Sequence, residues 1–264
     1  MQHISAFIMV FLVPFLISAQ PVNQKDSQGR KHGVWTKSYE NGQTRYQGTF
    51  EHGEEVGTFT FYYQNGELKA KNTFRDNGEV YTRMYGQKEK LAAEGIFVNK
   101  KRDSVWNYYD IDGNVVSREA YSNGQKDGMT TAYFPDGKIA EIVEYNDGEK
   151  HGVWVQRYSN GKKRAEGKYH HGSLQGTVTY YREDGSVRVK GDYKNGLKHG
   201  NWYFFDTNIK LLKKQVWEKG SPVRSTDEEE QKMIENGNQT LIKPIEKEKN
   251  AGKEDRSSWL ERGR

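Results

Sequence analysis

The feature that most constrains this chain is a period of 24 residues. With Gly33 as position 1, equivalent starts fall at Gly57, Tyr81, Ser104, Gly128, Gly152, Gly176 and Gly200, spaced by 24, 24, 23, 24, 24, 24 and 24 residues. Eight units therefore fill residues 33–223. A period of this size marks an array in which each unit is one supersecondary element stacked on its neighbours.

Each unit reads as strand, turn, strand, turn. Position 3 is bulky in Trp35, Phe59, Trp106, Trp154, Val178 and Trp202, with Arg83 and Thr130 as departures. Position 10 is Gly42, Gly66, Gly113, Gly137, Gly161 and Gly185, each preceded by Asn or Asp. Asn-Gly and Asp-Gly between strand-like runs are a strong hairpin signal, because such turns need positive φ. Position 18 is aromatic in every unit: Phe50, Phe74, Phe97, Tyr121, Tyr145, Tyr169, Tyr193 and Trp217. Position 21 is a second turn glycine in six units. Strands joined by tight turns pair antiparallel. The expected fold is all-β, an elongated antiparallel meander of about eight 24-residue hairpins.

Position 16 is glycine in half of the units: Gly48, Gly95, Gly167 and Gly191. Across a hairpin centred near position 9 it faces position 3, so the indoles of Trp35 and Trp154 are expected to lie over bare backbone of their own hairpins. The unit at 81–103 lacks the first glycine, the ring at position 3 and the Asn-Gly turn. A bend or looser pairing is expected there, splitting the array.

Only 33% of the chain is hydrophobic and the mean hydropathy is −1.03, which is too polar for a thick two-layer core. Yet 17 Tyr, 6 Trp and 11 Phe are too many rings for a disordered chain. A thin sheet held by regularly placed rings fits both facts. With no Cys, disulfides and thiol chemistry are excluded. Residues 1–19 read as a signal peptide cut after Ala19, with an uncleaved anchor as the alternative. Residues 20–32 read as a linker. Residues 224–264 carry nine basic and ten acidic side chains and read as a solvated tail, disordered or helical. That tail sums to −1, so of the total +5 the remaining residues carry +6.

The unit, seen in "GVWVQRYSNGKKRAEGKYHHG" (152–172) and "GTFTFYYQNGELKAKNTF" (57–74), resembles the MORN repeat family, most closely its bacterial variant form. The resemblance covers 33–223 and implies a hairpin array used for protein contact and, in some members, phospholipid contact. Many bacterial relatives, the YwqK-like group, carry an antitoxin label, a role that sits awkwardly with an exported chain.

Chemistry is scarce. His32, His151 and His199 each precede a unit-start glycine, and His52, His170 and His171 lie in second turns. They recur because the turn recurs and are spaced by whole units, so turn residues rather than a metal site are expected. No serine stands in a nucleophile-elbow setting and no glycine pattern precedes a helix, so neither an enzyme nor a cofactor is expected. Position 6 carries Tyr62, Tyr109, Tyr133, Tyr181 and Phe205, on the face opposite position 3. These rings form an open binding stripe or cover the second face by packing on their neighbours. Second-strand bases such as Arg45, Lys69, Lys162, Arg164 and Arg188 suit an acidic partner, an anionic lipid or edge protection. The expected role is an exported, non-enzymatic scaffold of the bacterial envelope or exterior that binds a protein partner. The alternatives are an anionic-lipid or cell-wall glycan binder, or a toxin-binding antitoxin. Nucleic acid is disfavoured.

Overall fold

The structure, a computed structural model, describes residues 22–223. The signal peptide expected at 1–19 and the tail expected at 224–264 lie outside the described residues. The rest is one open antiparallel sheet of 19 strands in meander order, from Gln24–Lys25 to Ser221–Val223. Among the described residues no helix is long and apolar enough to cross a membrane.

The turn that closes the second unit, Arg75 to Glu79, is of the longer kind found at Tyr39 to Gln43; in the regular units the two turns differ in kind. The second is a two-residue turn with both residues at positive φ, as in His52 (50°) and Gly53 (92°) or Asn123 (51°) and Gly124 (90°). The first turn is longer. The Tyr39 N–H donates to the Gln43 carbonyl and the Gly42 N–H returns to the Tyr39 carbonyl, and only Gly42 is left-handed. Asn41 therefore does not supply the positive φ expected of it. Its side-chain oxygen accepts the Gln43 N–H at 3.2 Å, and its amide reaches the Gln64 carbonyl of the next unit at 3.0 Å.

Two bulges recur. The pairs Phe61↔Ala70 and Tyr62↔Leu68 leave Lys69 unmatched, and the same slip leaves Arg45, Arg164 and Arg188 unmatched in their hairpins. Several of the second-strand bases are thus bulge residues at position 13. The other bulge falls between units. Gln47↔Thr60 and Thr49↔Val56 set Gly57, Thr58 and Phe59 against Gly48 alone. This second bulge decides which ring covers which glycine. Gly48 does pair with Trp35 in its own hairpin, but a Cβ on it would meet Phe59, of the following unit, at 2.4 Å. Gly95 lies likewise under Trp106, and Gly191 under Trp202. At these three glycines the cover belongs to the next hairpin, because the left-handed position 1 swings the ring back; a Cβ on Gly167 would meet Val178 of the next unit at 2.8 Å and Trp154 of its own hairpin at 3.5 Å. The bulge also frees a carbonyl, which the indole N–H takes: Trp106 Nε1 to Ile96 and Trp202 Nε1 to Asp192, both at 3.1 Å.

The core is a row of rings on one face. Trp35, Phe50, Phe59 and Phe74 meet edge to face at 5.9, 5.1 and 5.4 Å, and Phe97–Trp106 and Tyr193–Trp202 repeat the contact at 4.9 and 5.2 Å. Hairpins are tied at their turn ends too. The hydroxyls of Tyr39, Tyr63 and Tyr158, all at position 7, donate to the carbonyls of Tyr62, Tyr85 and Tyr181 in the next unit.

The sheet does not split at 81–103. The strands Leu68–Phe74, Glu79–Tyr85 and Leu91–Val98 pair continuously. The pairing of Leu68–Phe74 with Glu79–Tyr85 lacks the inter-unit bulge but closes through a longer turn, Arg75 to Glu79, so the register shifts by one and Thr82, not Arg83, stands opposite Gly95. The supposed linker is also partly sheet. Gln24–Lys25 pairs with Lys31 and His32, and the Gln24 carbonyl accepts the Trp35 indole N–H at 2.9 Å.

Candidate functional site

The unit at 81–103 leaves a gap in the ring row. Thr82 is 2% exposed and donates its hydroxyl to Asn72 Oδ1 at 3.0 Å, at the place where Phe59 covers Gly48 and the Trp106 and Trp202 indoles cover Gly95 and Gly191. A threonine fills far less space than an indole. Among the described residues Phe74 meets Phe59 and Phe97 meets Trp106, but Phe74 and Phe97, which an indole there would bridge, do not meet each other. The result is a concavity of about 510 Å³ over the first three units. Thr82, Asn72, Ala70 and Met84 line its floor, and Tyr39, Tyr46, Phe61 and Tyr62 its aromatic walls. Lys37, Arg45 and Lys69 supply three cations, and no acidic side chain lines it. Arg45 lies 5.8 Å from the Tyr39 ring and Lys69 lies 5.4 Å from Tyr63, so the two bulge cations are held against rings.

The five position-6 residues are distributed differently. Tyr62 belongs to the concavity. Tyr109 donates its hydroxyl to Glu94 Oε1 at 2.6 Å, and Tyr181 donates to Glu166 Oε1. Tyr133 lies under the Arg118 guanidinium at 5.8 Å. Phe205 is buried, 6% exposed. Among the described residues no two of these rings touch. Burial, with the adjacent carboxylates, pushes the Tyr109 and Tyr181 hydroxyls well above the ordinary tyrosine range, so both stay protonated donors at neutral pH. Glu94 also accepts from Tyr81 at 2.5 Å and lies 3.5 Å from Arg83. Its burial favours the neutral acid, but the two tyrosine donors and Arg83 outweigh this and hold the carboxyl below its usual 4.5. A lowered carboxylate stabilises the fold above about pH 4.5 and loses that contribution as pH falls through its folded value. Tyr109→Phe should cost about 1.5 kcal/mol at pH 7. Glu94→Gln should remove this part of the acid dependence, read as unfolding midpoints between pH 3 and 7.

The histidine spacing misled. His151, His170 and His171 belong to one hairpin and its closing turn, and the antiparallel return brings their nitrogens within 4.8 Å of one another. The sequence signal that could have found this is the strand-to-strand distance, 19 residues, rather than the unit period.

A single-layer sheet of stacked hairpins with one shallow basic concavity defines a repeat scaffold. Five segments, 31–52, 55–76, 126–147, 150–171 and 174–195, match the MORN repeat variant, and the chain belongs to the MORN repeat family. The interval 77–125, which no match covers, holds the unit that contributes Thr82, Met84 and Phe97 to the concavity, whose other lining residues lie in the first two matched segments. No curated protein matches the chain significantly. Among solved structures, a mutant of S. aureus TarM in complex with Fondaparinux, alpha-GlcNAc-glycerol and UDP is 11% identical, with a TM-score of 0.29. That match covers 36% of this chain and 19% of that one, so the chain spans about a fifth of its length.

Proposed function

We propose that the protein is an exported, non-enzymatic scaffold of the bacterial envelope or exterior that holds a protein partner along its sheet. In this reading an acidic segment of the partner seats in the concavity of the first three units. The observation that carries it is the lining: Lys37, Arg45 and Lys69 beside Tyr39, Tyr46, Phe61 and Tyr62, with no acidic side chain among them. Rings beside arginine are typical anchors of protein interfaces, and unopposed cations select an acidic ligand. An open sheet with side chains mostly engaged in packing is suited to holding rather than transforming a ligand.

The test is affinity capture from the native envelope with the full chain and with a Lys37→Ala/Arg45→Ala/Lys69→Ala variant. A partner held by the former, lost with the latter and released by salt is the expected result. Equal capture by both proteins, or none at physiological salt, rejects the proposal. The same cations favour anionic lipid as the second reading, at about 1 kcal/mol for each base near the surface. Co-sedimentation with vesicles that rises with anionic lipid content, and falls in the triple variant, would select it.

A further inference from the structure

We propose that His151, His170 and His171 form a binding site for one divalent transition-metal ion of the zinc or copper type. Their ring centroids lie 5.0, 5.6 and 4.4 Å apart, and one ligand nitrogen from each falls within a 4.8 Å set. The backbone explains the grouping. His151 lies in the strand Glu149–Arg157, and His170 closes the facing strand Lys163–His170. His171 opens the two-residue turn at φ 45°. The Gly172 N–H donates to the Lys150 carbonyl at 2.9 Å, which folds the turn back beside His151.

Turn chemistry does not account for three histidines here. Equivalent turns place Asn123, Asp147 and Asn195 at the left-handed position, the residues such turns favour. The strand-end position before it, filled by His170, is Glu51, Ser122, Asn146 or Lys194 in other units and has no steric need of an imidazole. The first unit provides an internal comparison. His32 and His52 stand in the places of His151 and His171, with centroids 5.6 Å apart. There, however, His52 Nδ1 is already engaged, 2.9 Å from the Arg30 guanidinium and 3.3 Å from Asp26. Beside His171 the place of Arg30 is held by Glu149, 3.5 Å from Nδ1, and a third imidazole is added.

The surroundings suit a cation that arrives from solvent. His170 and His171 are exposed, and a concavity of about 480 Å³ opens beside His151 and His170. Glu149 Oε2 lies 3.5 Å from His171 Nδ1 and supplies the outer carboxylate that metal-bound imidazoles use. Of the nearby lysines, Lys150 is drawn away over the Tyr169 ring at 5.0 Å, and Lys168 lines the concavity. Bonds of about 2.0–2.1 Å set the nitrogens of a tetrahedral site roughly 3.3 Å apart, so the rings close by up to roughly 1.5 Å. Two of the three sit on exposed side chains free to make that movement. Imidazole without thiolate selects zinc, copper or nickel over magnesium or calcium.

The untagged full chain is titrated calorimetrically with zinc sulfate and, separately, with cobalt(II), whose visible absorption intensifies in a tetrahedral nitrogen site. One ion per chain is expected. His151→Gln and His171→Gln should each weaken it by roughly 100-fold, and Glu149→Gln by about 10-fold. His32→Gln/His52→Gln should leave affinity unchanged. Thermal unfolding without metal should be the same for every variant, since His171 and Glu149 are exposed and His151 is half-buried near the end of its strand, which separates lost ligation from lost fold. No saturable binding, or affinity unmoved by His151→Gln, overturns the site.

Discussion

Trp106→Ala should destabilise its part of the sheet by about 3–5 kcal/mol, the cost of emptying a fully buried aromatic site. Trp106 is 0% exposed. Its indole meets Phe97 edge to face at 4.9 Å, receives the Arg102 guanidinium at 5.0 Å and covers Gly95. Its N–H satisfies the Ile96 carbonyl that the inter-unit bulge frees. Alanine loses the packing and leaves that carbonyl without the indole donor. In a single-layer sheet no opposing layer can settle into the hole, which argues for the upper part of the range. Units in such arrays contact only their neighbours, so the damage should be graded along the sheet. Amide exchange should accelerate most in Leu91–Val98 and Val115–Ser122, the strands on either side, and least in the last two hairpins. A loss below about 1 kcal/mol, or uniform acceleration, would show that the ring row is not the core.

Gly191→Ala should cost about 3 kcal/mol although it adds one methyl group. Gly191 has no left-handed φ to protect, so the cost comes from its neighbour alone. A Cβ there would fall 2.3 Å from Trp202 Cδ2, and that indole is 1% exposed and tied to the Asp192 carbonyl. The ring cannot retreat without breaking its hydrogen bond and its 5.2 Å contact with Tyr193. Combining Gly191→Ala with Trp202→Ala should cost clearly less than the sum of the two, because the smaller side chain makes room for the methyl. Strict additivity in denaturant unfolding would refute the stacking argument.

The sequence made the repeat legible because a single-layer array is nearly one-dimensional. The ring at position 18 recurs in every unit from Phe50 to Trp217, and the ring at position 3 in five of the eight. The register of Trp35 on Gly48 followed from strand arithmetic and holds. Bulges were not legible, because an unmatched residue such as Lys69 looks like any other solvent-facing base. The bulge at Gly57 is what turns Phe59 onto the preceding hairpin, and it is a backbone event with no side-chain signature except a glycine that also reads as turn chemistry. The break expected at 81–103 from the missing glycine, ring and Asn-Gly turn does not occur, because the strands pair there without the inter-unit bulge. Among the candidate site residues only Tyr62 lies in the concavity, since a period-two rule assigns a face but not the company a side chain keeps there.

The gap at Thr82 has a consequence for recognition. Hairpins repeat at roughly 10 Å along such a sheet, two strand spacings, so a partner matched to the common pattern could dock in several frames and slide between them. Three copies lack a ring at position 3, but the one at Thr82 lies in a hollow lined by rings and cations, and that lining gives the surface an origin. A segment that fills the hollow beside Thr82 fits in a single frame, and every other distance along the sheet is then measured from that mark. Imperfect repetition would thus act as an address, turning a uniform strip into a ruler with a zero.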